Sequence, residues 1–303
     1  MIRIFGTGLA ALLGLAFGSF LNVCLSRWPE GEGVVQPRSH CRNCGRTLSW
    51  WENIPVASWI VLRGQCRTCN AKISWRYPLV ELSVGALWGF TAWHVLPAML
   101  SPNSSPTEAP LVFCYMSGLD VAIGHVILCW LLVALAVLDA ENLWLPNWIT
   151  FPGIVIGMFL TGFRFLLADW IAEGPHISKL GTLMDGLLGP VTAVLISAGL
   201  ILLIRWTYWL IRRREGIGLG DAKLMALLGA WLGLSGALLS FAIGVMLGAV
   251  FALIVLAVPA GRRGSDTWLA ARLPLGTFLC IGGIISTLWG QPIIAAYLRW
   301  AGL

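Results

Sequence analysis

The sequence predicts an all-α polytopic membrane protein: about eight transmembrane helices, with a small zinc-binding cytosolic domain between the first and second. Three observations carry that expectation. Of 303 residues, 58% are hydrophobic and only 11% charged, and the mean hydropathy is +0.81. Runs of 18 or more mostly apolar residues recur, each long enough to cross the hydrocarbon of a bilayer. Between the first two runs lies a polar segment with two Cys-x-x-Cys pairs. The 35 Gly and 17 Trp suit the same class, glycine letting helices approach and tryptophan favouring interfaces.

The first span covers 4–24, where Gly14, Gly18 and Ser19 suit close packing and Asn22 is expected to face protein. Only Arg3 precedes it and no small-residue cleavage site follows, which argues against a removed signal peptide. Residues 25–79 then change character, with eight basic residues against Glu30, Glu32 and Glu52. Seven further spans are expected in the 80–303 region, whose first starts at the domain edge: 79–99, 121–138, 148–167, 184–206, a short one at 222–234, 237–258 and 274–295. The stretch 101–118, without Lys or Arg, reads as an outer loop, as does the mildly acidic 168–183. Pro146, in the connector Ala140–Asn147, is a helix-start signal. The sixth and seventh spans divide around Leu234-Ser235-Gly236.

Of the twenty Lys and Arg residues, all but Arg3, Arg164, Lys179 and Arg299 fall in segments that this count places on one side. Basic loops mark the cytosolic face, so the N-terminus is expected outside and residues 25–79 inside. The net charge of +6 follows from those loops. It points to a lipid bilayer as partner and not to nucleic acid. No internal repeat is visible, which counts against an inverted-repeat transporter.

Two carboxylates stand at the edges of apolar runs. Asp139 ends the third span and Asp221 begins the sixth, so charge counting places both near the cytosolic face. A charge there needs a reason. Gly218 and Gly220, just before Asp221, remove side chains and let another backbone lie against that turn. Two acids sharing a water can split a peptide bond, because only one ionises at contact distance and the other keeps its proton. Capping offers another account: Asp221 can cap the helix that follows it. Asp139, at a helix C-terminus, opposes the macrodipole. A proton-coupled membrane transporter also uses intramembrane Asp pairs.

Cys41-Arg-Asn-Cys44 and Cys66-Arg-Thr-Cys69 have the spacing of a tetrahedral four-thiolate Zn2+ site. Arg42, Arg46, Arg63 and Arg67 would offset its charge. So small a segment has little core of its own, so a metal would contribute much of its folding energy. His40 is read as a bystander. Cys24, Cys114, Cys129 and Cys280, in or beside apolar spans, are read as packing residues.

The segments Asp139-Ala-Glu-Asn-Leu-Trp-Leu-Pro146-Asn147 and Glu215-Gly-Ile-Gly-Leu-Gly-Asp221-Ala-Lys223 resemble the two aspartate motifs of type IV prepilin peptidases. The second carries the GxGD signature of intramembrane aspartyl proteases. Glu141 stands where many members have a second Asp. Gly18-Ser-Phe-Leu-Asn-Val, Pro37-Arg-Ser-His-Cys, Ser49-Trp-Trp-Glu-Asn-Ile-Pro55 and Arg76-Tyr-Pro-Leu-Val-Glu81 are also similar to that family, in order. The resemblance implies Asp139 and Asp221 as a catalytic dyad, supported by Gly218, Gly220 and Lys223. It implies prepilin or pseudopilin substrates, processed at the cytosolic face of a bacterial inner membrane. It further implies N-methylation of the new N-terminus using S-adenosylmethionine. Trp50–Trp59 is read either as lining for that methyl donor or as aromatic contact with the membrane surface.

Overall fold

The computed structural model describes residues 1–36, 38–100, 111–173, 180–214, 218–257 and 274–302. Pro37, most of the expected loop 101–118, Glu215–Ile217 and the inner loop bearing Arg262, Arg263 and Arg272 lie outside these residues. The chain forms two compact units, Met1–Ala134 and Leu135–Leu303.

The first unit contains α1 (Ile2–Arg27), a short α2 (Ala57–Val61), α3 (Arg76–Leu100) and most of α4 (Leu111–Asn142). Helices α1 and α3 meet along a seam of small residues. A side chain at Gly14 would meet the backbone of Val84 and Gly85, and one at Gly18 the backbone of Glu81. Gly89 faces Ala11 in the same seam. With no water to expel, membrane helices associate by this kind of close backbone approach. Asn22 crosses the seam, its Nδ2 donating to the Tyr77 carbonyl at 2.9 Å. The opposite face of α1, with Leu9, Leu12 and Phe20, is exposed, as a lipid-facing surface is.

The second unit contains the end of α4, then α5 (Asn147–Glu173), α6 (Leu180–Arg212), α7 (Leu219–Ala257) and α8 (Leu275–Ala301). Helix α5 begins directly after Pro146, as that proline signals, and the Thr150 hydroxyl donates back to the Pro146 carbonyl at 3.1 Å. Helices α4, α5 and α6 run beyond their expected spans. Residues 111–118 are helical, because backbone hydrogen bonding continues past the apolar stretch into the interface.

Among the described residues seven helices are long and apolar enough to cross a membrane. Helix α7 is two helices joined at Gly233, whose backbone (φ 69, ψ −178) is not helical. The first half runs parallel to α5: Lys223 contacts Asn147, and further along Thr161 donates to the Ala230 carbonyl and Trp231 to that of Gly153. The second half runs antiparallel to α8: Phe251 meets Phe278, Gly244 meets Leu279, Ser240 meets Gly282 and Gly236 meets Ser286. Since Asp139 of α4 abuts Gly276 at the start of α8, both ends of α7 return to the side where α8 begins. The chain therefore reverses at Gly233, and the short sixth span and the seventh are separate helices. The break falls one residue before the expected Leu234–Gly236 division.

Cys24, Cys129 and Cys280 are buried, and the side chain of Cys114 lies outside the described residues.

Candidate functional site

In the second unit, Asp139 occupies the last turn of α4 and is 6% exposed. Its Oδ2 accepts the backbone N–H of Thr277 at 2.7 Å and the Thr277 hydroxyl at 3.1 Å. Thr277 lies in the first turn of α8, whose free N–H groups and positive dipole end favour a carboxylate. The acid that opposes the dipole of its own helix is thus held by the start of another. Gly276 makes the approach possible, since a Cβ there would stand 2.8 Å from Asp139 Oδ2.

Asp221 occupies the first turn of α7 and is 9% exposed. Gly218, three residues earlier, lies beside its carboxylate: a Cβ there would stand 3.6 Å from Asp221 Oδ2. A side chain at Gly220 would press on Leu145 of the connector after α4. The Lys223 ammonium donates to Asn147 Oδ1 at 2.5 Å, joining the two aspartate-bearing segments again. Asp139 and Asp221 lie within electrostatic reach of each other, and Cys280 within reach of both. The structure thus gathers Asp139, Asp221, Gly218, Gly220 and Lys223 at one end of the unit. Glu141 is exposed. Residue spacing pointed to the two acids, but not to Gly276 and Thr277. The Pro274-Leu-Gly-Thr277 start of the last helix was their only local signal.

In the first unit, the Sγ atoms of Cys41, Cys44, Cys66 and Cys69 all lie within 4.8 Å of one another and can hold a metal ion. Each pair sits in the same kind of tight turn. Cys41 N–H donates to the Arg46 carbonyl and Gly45 N–H to that of Cys41; Cys66 and Asn70 repeat the pattern with Ala71 and Cys66. Gly45 (φ 70) and Asn70 (φ 56) take the left-handed conformation each turn needs, which these two residue types tolerate best. Antiparallel bridges His40–Thr47 and Gln65–Lys72 close the two turns. Backbone N–H groups of Cys69 and Thr68 hold the Cys66 thiol down to about 6, favouring the thiolate that binds metal. The His40 ring pairs with the Arg38 carbonyl and stands outside the thiol cluster.

Beside the cluster, Arg46 grips the buried Glu52 through two nitrogens at 3.1 and 2.6 Å. Glu52 also accepts the Ser49 N–H at 2.8 Å. These bonds, the one to Arg46 first, pull its carboxyl from 4.5 to about 2. A cavity of about 690 Å³ opens between this domain and the adjoining ends of α1 and α3. Of the Trp50–Trp59 stretch, Glu52, Asn53, Ser58 and Trp59 line it. Trp50 is 77% exposed, and Trp51 lies under the Arg67 guanidinium, 5.3 Å from the ring centre; neither lines the cavity.

Fold and sites together define a multi-span helical membrane protein with two buried carboxylates at helix ends and a cluster of four thiols that could hold a metal ion. Residues 12–95 match the Bacterial Peptidase A24 N-terminal domain, and residues 126–253 match the Type IV leader peptidase family. The chain belongs to the type IV leader peptidase family. It is similar to the prepilin leader peptidase/N-methyltransferase of Stutzerimonas stutzeri, 31% identical over 97% of this chain and 94% of the relative. The protein of the same name from Pseudomonas aeruginosa is 32% identical over 96% and 93%. The type 4 prepilin-like proteins leader peptide-processing enzyme of Escherichia coli is 33% identical over 91% of each. No solved structure matches.

Proposed function

We propose that this protein removes the short basic leader of a type IV prepilin or pseudopilin and then N-methylates the exposed amino group. The observation that carries the first step is the placement of Asp139 and Asp221, both buried, both at helix ends, each within reach of the other's charge. The family membership and the names of the relatives support the substrate and the second step.

One carboxylate takes a proton from a water as that water attacks the scissile carbonyl. The other, protonated, donates to the carbonyl oxygen and then assists the departing amine. The two bonds from Thr277 hold the Asp139 carboxylate in one orientation, so that activating a shared water would need little reorganisation of that group. The hydrophobic helix of the substrate lies in the bilayer beside this unit, and its basic leader stays in the cytosol. That orientation follows the basic loops and puts the N-terminus of the enzyme outside a bacterial inner membrane.

Cys41, Cys44, Cys66 and Cys69 would hold a structural Zn2+, the ion that four thiolates select, and it would supply folding energy rather than chemistry. S-adenosylmethionine would supply the methyl group. A buried polar atom with an unmet bond, Asn22 Oδ1, lines the cavity beside the cysteine domain and is compatible with such a ligand.

The test is incubation of the detergent-purified chain with a pilin-like peptide, comparing the native enzyme with Asp139→Asn and Asp221→Asn. Each variant is expected to lose activity by about 100- to 10,000-fold, the range of a lost acid–base group. Processing at the native rate by either variant would falsify the dyad.

A further inference from the structure

The cavity of the first unit has a chemistry more specific than its size. Its volume falls in the range of small-molecule sites, about 300–1,000 Å³. Where it meets α1 and α3, three features converge. Asn22 is 2% exposed; its Nδ2 is committed to the Tyr77 carbonyl, and its Oδ1 has no partner. A buried acceptor in that state favours a ligand that brings an N–H.

Glu81, also buried, accepts a neutral donor, the Val56 N–H at 2.7 Å, and Ser19 and Asn22 lie beside it. The other buried acid of the cavity, Glu52, already has the Arg46 guanidinium, and Glu30 at the rim has Arg42. Glu81 therefore suits a cation carried by the ligand. Trp59 and Tyr77 add flat aromatic surface to the lining. The Trp59 ring is fixed by its Nε1 bond to the Ile73 carbonyl and by packing on Trp75 at 4.1 Å.

Val56, whose N–H reaches Glu81, has φ 60, an outlier for a β-branched residue. Strain of this kind persists only where surrounding contacts enforce it, and it clusters at ligand sites.

We propose that this cavity, at Asn22, Glu81, Trp59 and Tyr77, is the S-adenosylmethionine site, with Glu81 supplying the negative charge opposite the ligand's cationic part and Asn22 Oδ1 accepting one of its N–H groups. The proposal rests on the methyltransferase reading above. A flat adenine, a fixed sulfonium charge and an amino group answer the aromatic surface, the carboxylate without a cation and the unpaired carbonyl oxygen.

Two experiments on the full chain in detergent test it. The first is calorimetric titration with S-adenosylmethionine, comparing the native chain with Glu81→Gln and Asn22→Leu, with metal content measured on each preparation as a check of the cysteine domain. Each variant is expected to bind at least tenfold more weakly. The second needs no variant: ultraviolet cross-linking of radiolabelled S-adenosylmethionine to the native chain, followed by peptide mapping, should label the peptides carrying Trp59 or Tyr77. Label confined to other peptides, or native affinity in both variants, overturns the site and leaves the methyltransferase reading standing. No binding to the native chain overturns both. Cleavage of a pilin-like peptide by the same preparations reports on the peptidase reading separately.

Discussion

Thr277 donates twice to the same oxygen of Asp139, through its backbone N–H at 2.7 Å and its hydroxyl at 3.1 Å. The hydroxyl also reaches the Ala136 carbonyl at 3.1 Å, one turn before the acid. These bonds fix the orientation of the carboxylate. Thr277→Val keeps the N–H and removes the hydroxyl. A hydrogen bond to a charged group is worth about 1.5–3 kcal/mol, so kcat for leader cleavage should fall by about 10- to 100-fold with KM little changed. Thr277→Ser should restore most of it. An unchanged kcat in the valine variant rules out a positioning role.

A side chain at residue 276 would stand against the Asp139 carboxyl rather than in free space. Gly276→Val should abolish leader cleavage while the thermal transition of the first unit, followed by metal release, stays in place. Active Gly276→Val enzyme would show that the carboxylate can work from another position.

The cysteine cluster predicts about one zinc per chain by elemental analysis, the stoichiometry of one four-thiolate site. Cys41→Ser with Cys44→Ser should lose the metal and expose residues 25–79 to protease. A metal-free native preparation whose domain resists protease would contradict the structural zinc.

Glu52 sets an acid limit for the same domain. Its carboxyl is pulled below the ordinary 4.5 to about 2, so its bonds to Arg46 and Ser49 contribute stability that is fully present above pH 4.5. That contribution is lost as pH falls from 4.5 through about 2. Thermal midpoints of the native chain and Glu52→Gln should therefore differ most above pH 4.5 and converge toward pH 2. A difference that stays constant across this window assigns the effect to packing instead.

Gly233 carries the reversal of α7 in a conformation that only glycine adopts readily. Gly233→Val should lower the yield of folded protein and the thermal midpoint, with strain of order 1–3 kcal/mol. A valine variant of native stability would mean the chain does not need that backbone.

Much of this was legible in the residues. Asp139 and Asp221 stood out because a carboxylate beside an apolar run is unusual, and the paired Cys-x-x-Cys spacing pointed to a metal. Hydropathy found every span but not its ends: Leu111–Gly118 is helical although it read as part of a loop, since helix propagation is indifferent to where lipid stops. The contact between Thr277 and Asp139 was not legible, because it joins residues 138 apart through the free N–H groups of a helix start. The cavity at Asn22 and Glu81 was hidden for a similar reason. Asn22 read only as a polar residue turned toward protein, and its unpaired oxygen depends on which way the amide lies against Tyr77.

The reversal at Gly233 leaves Asp221 at the foot of a helix running only from residue 219 to 232, about 21 Å at 1.5 Å per residue. The hydrocarbon of an ordinary bilayer is about 30 Å thick. The segment does not meet lipid, however: Leu224, Met225, Leu227 and Leu228 are fully buried, so its shortness is absorbed by the neighbouring helices. The depth of Asp221 is therefore set by packing inside the protein and not by the thickness of the surrounding bilayer, so a membrane of different thickness should leave that carboxylate where it is.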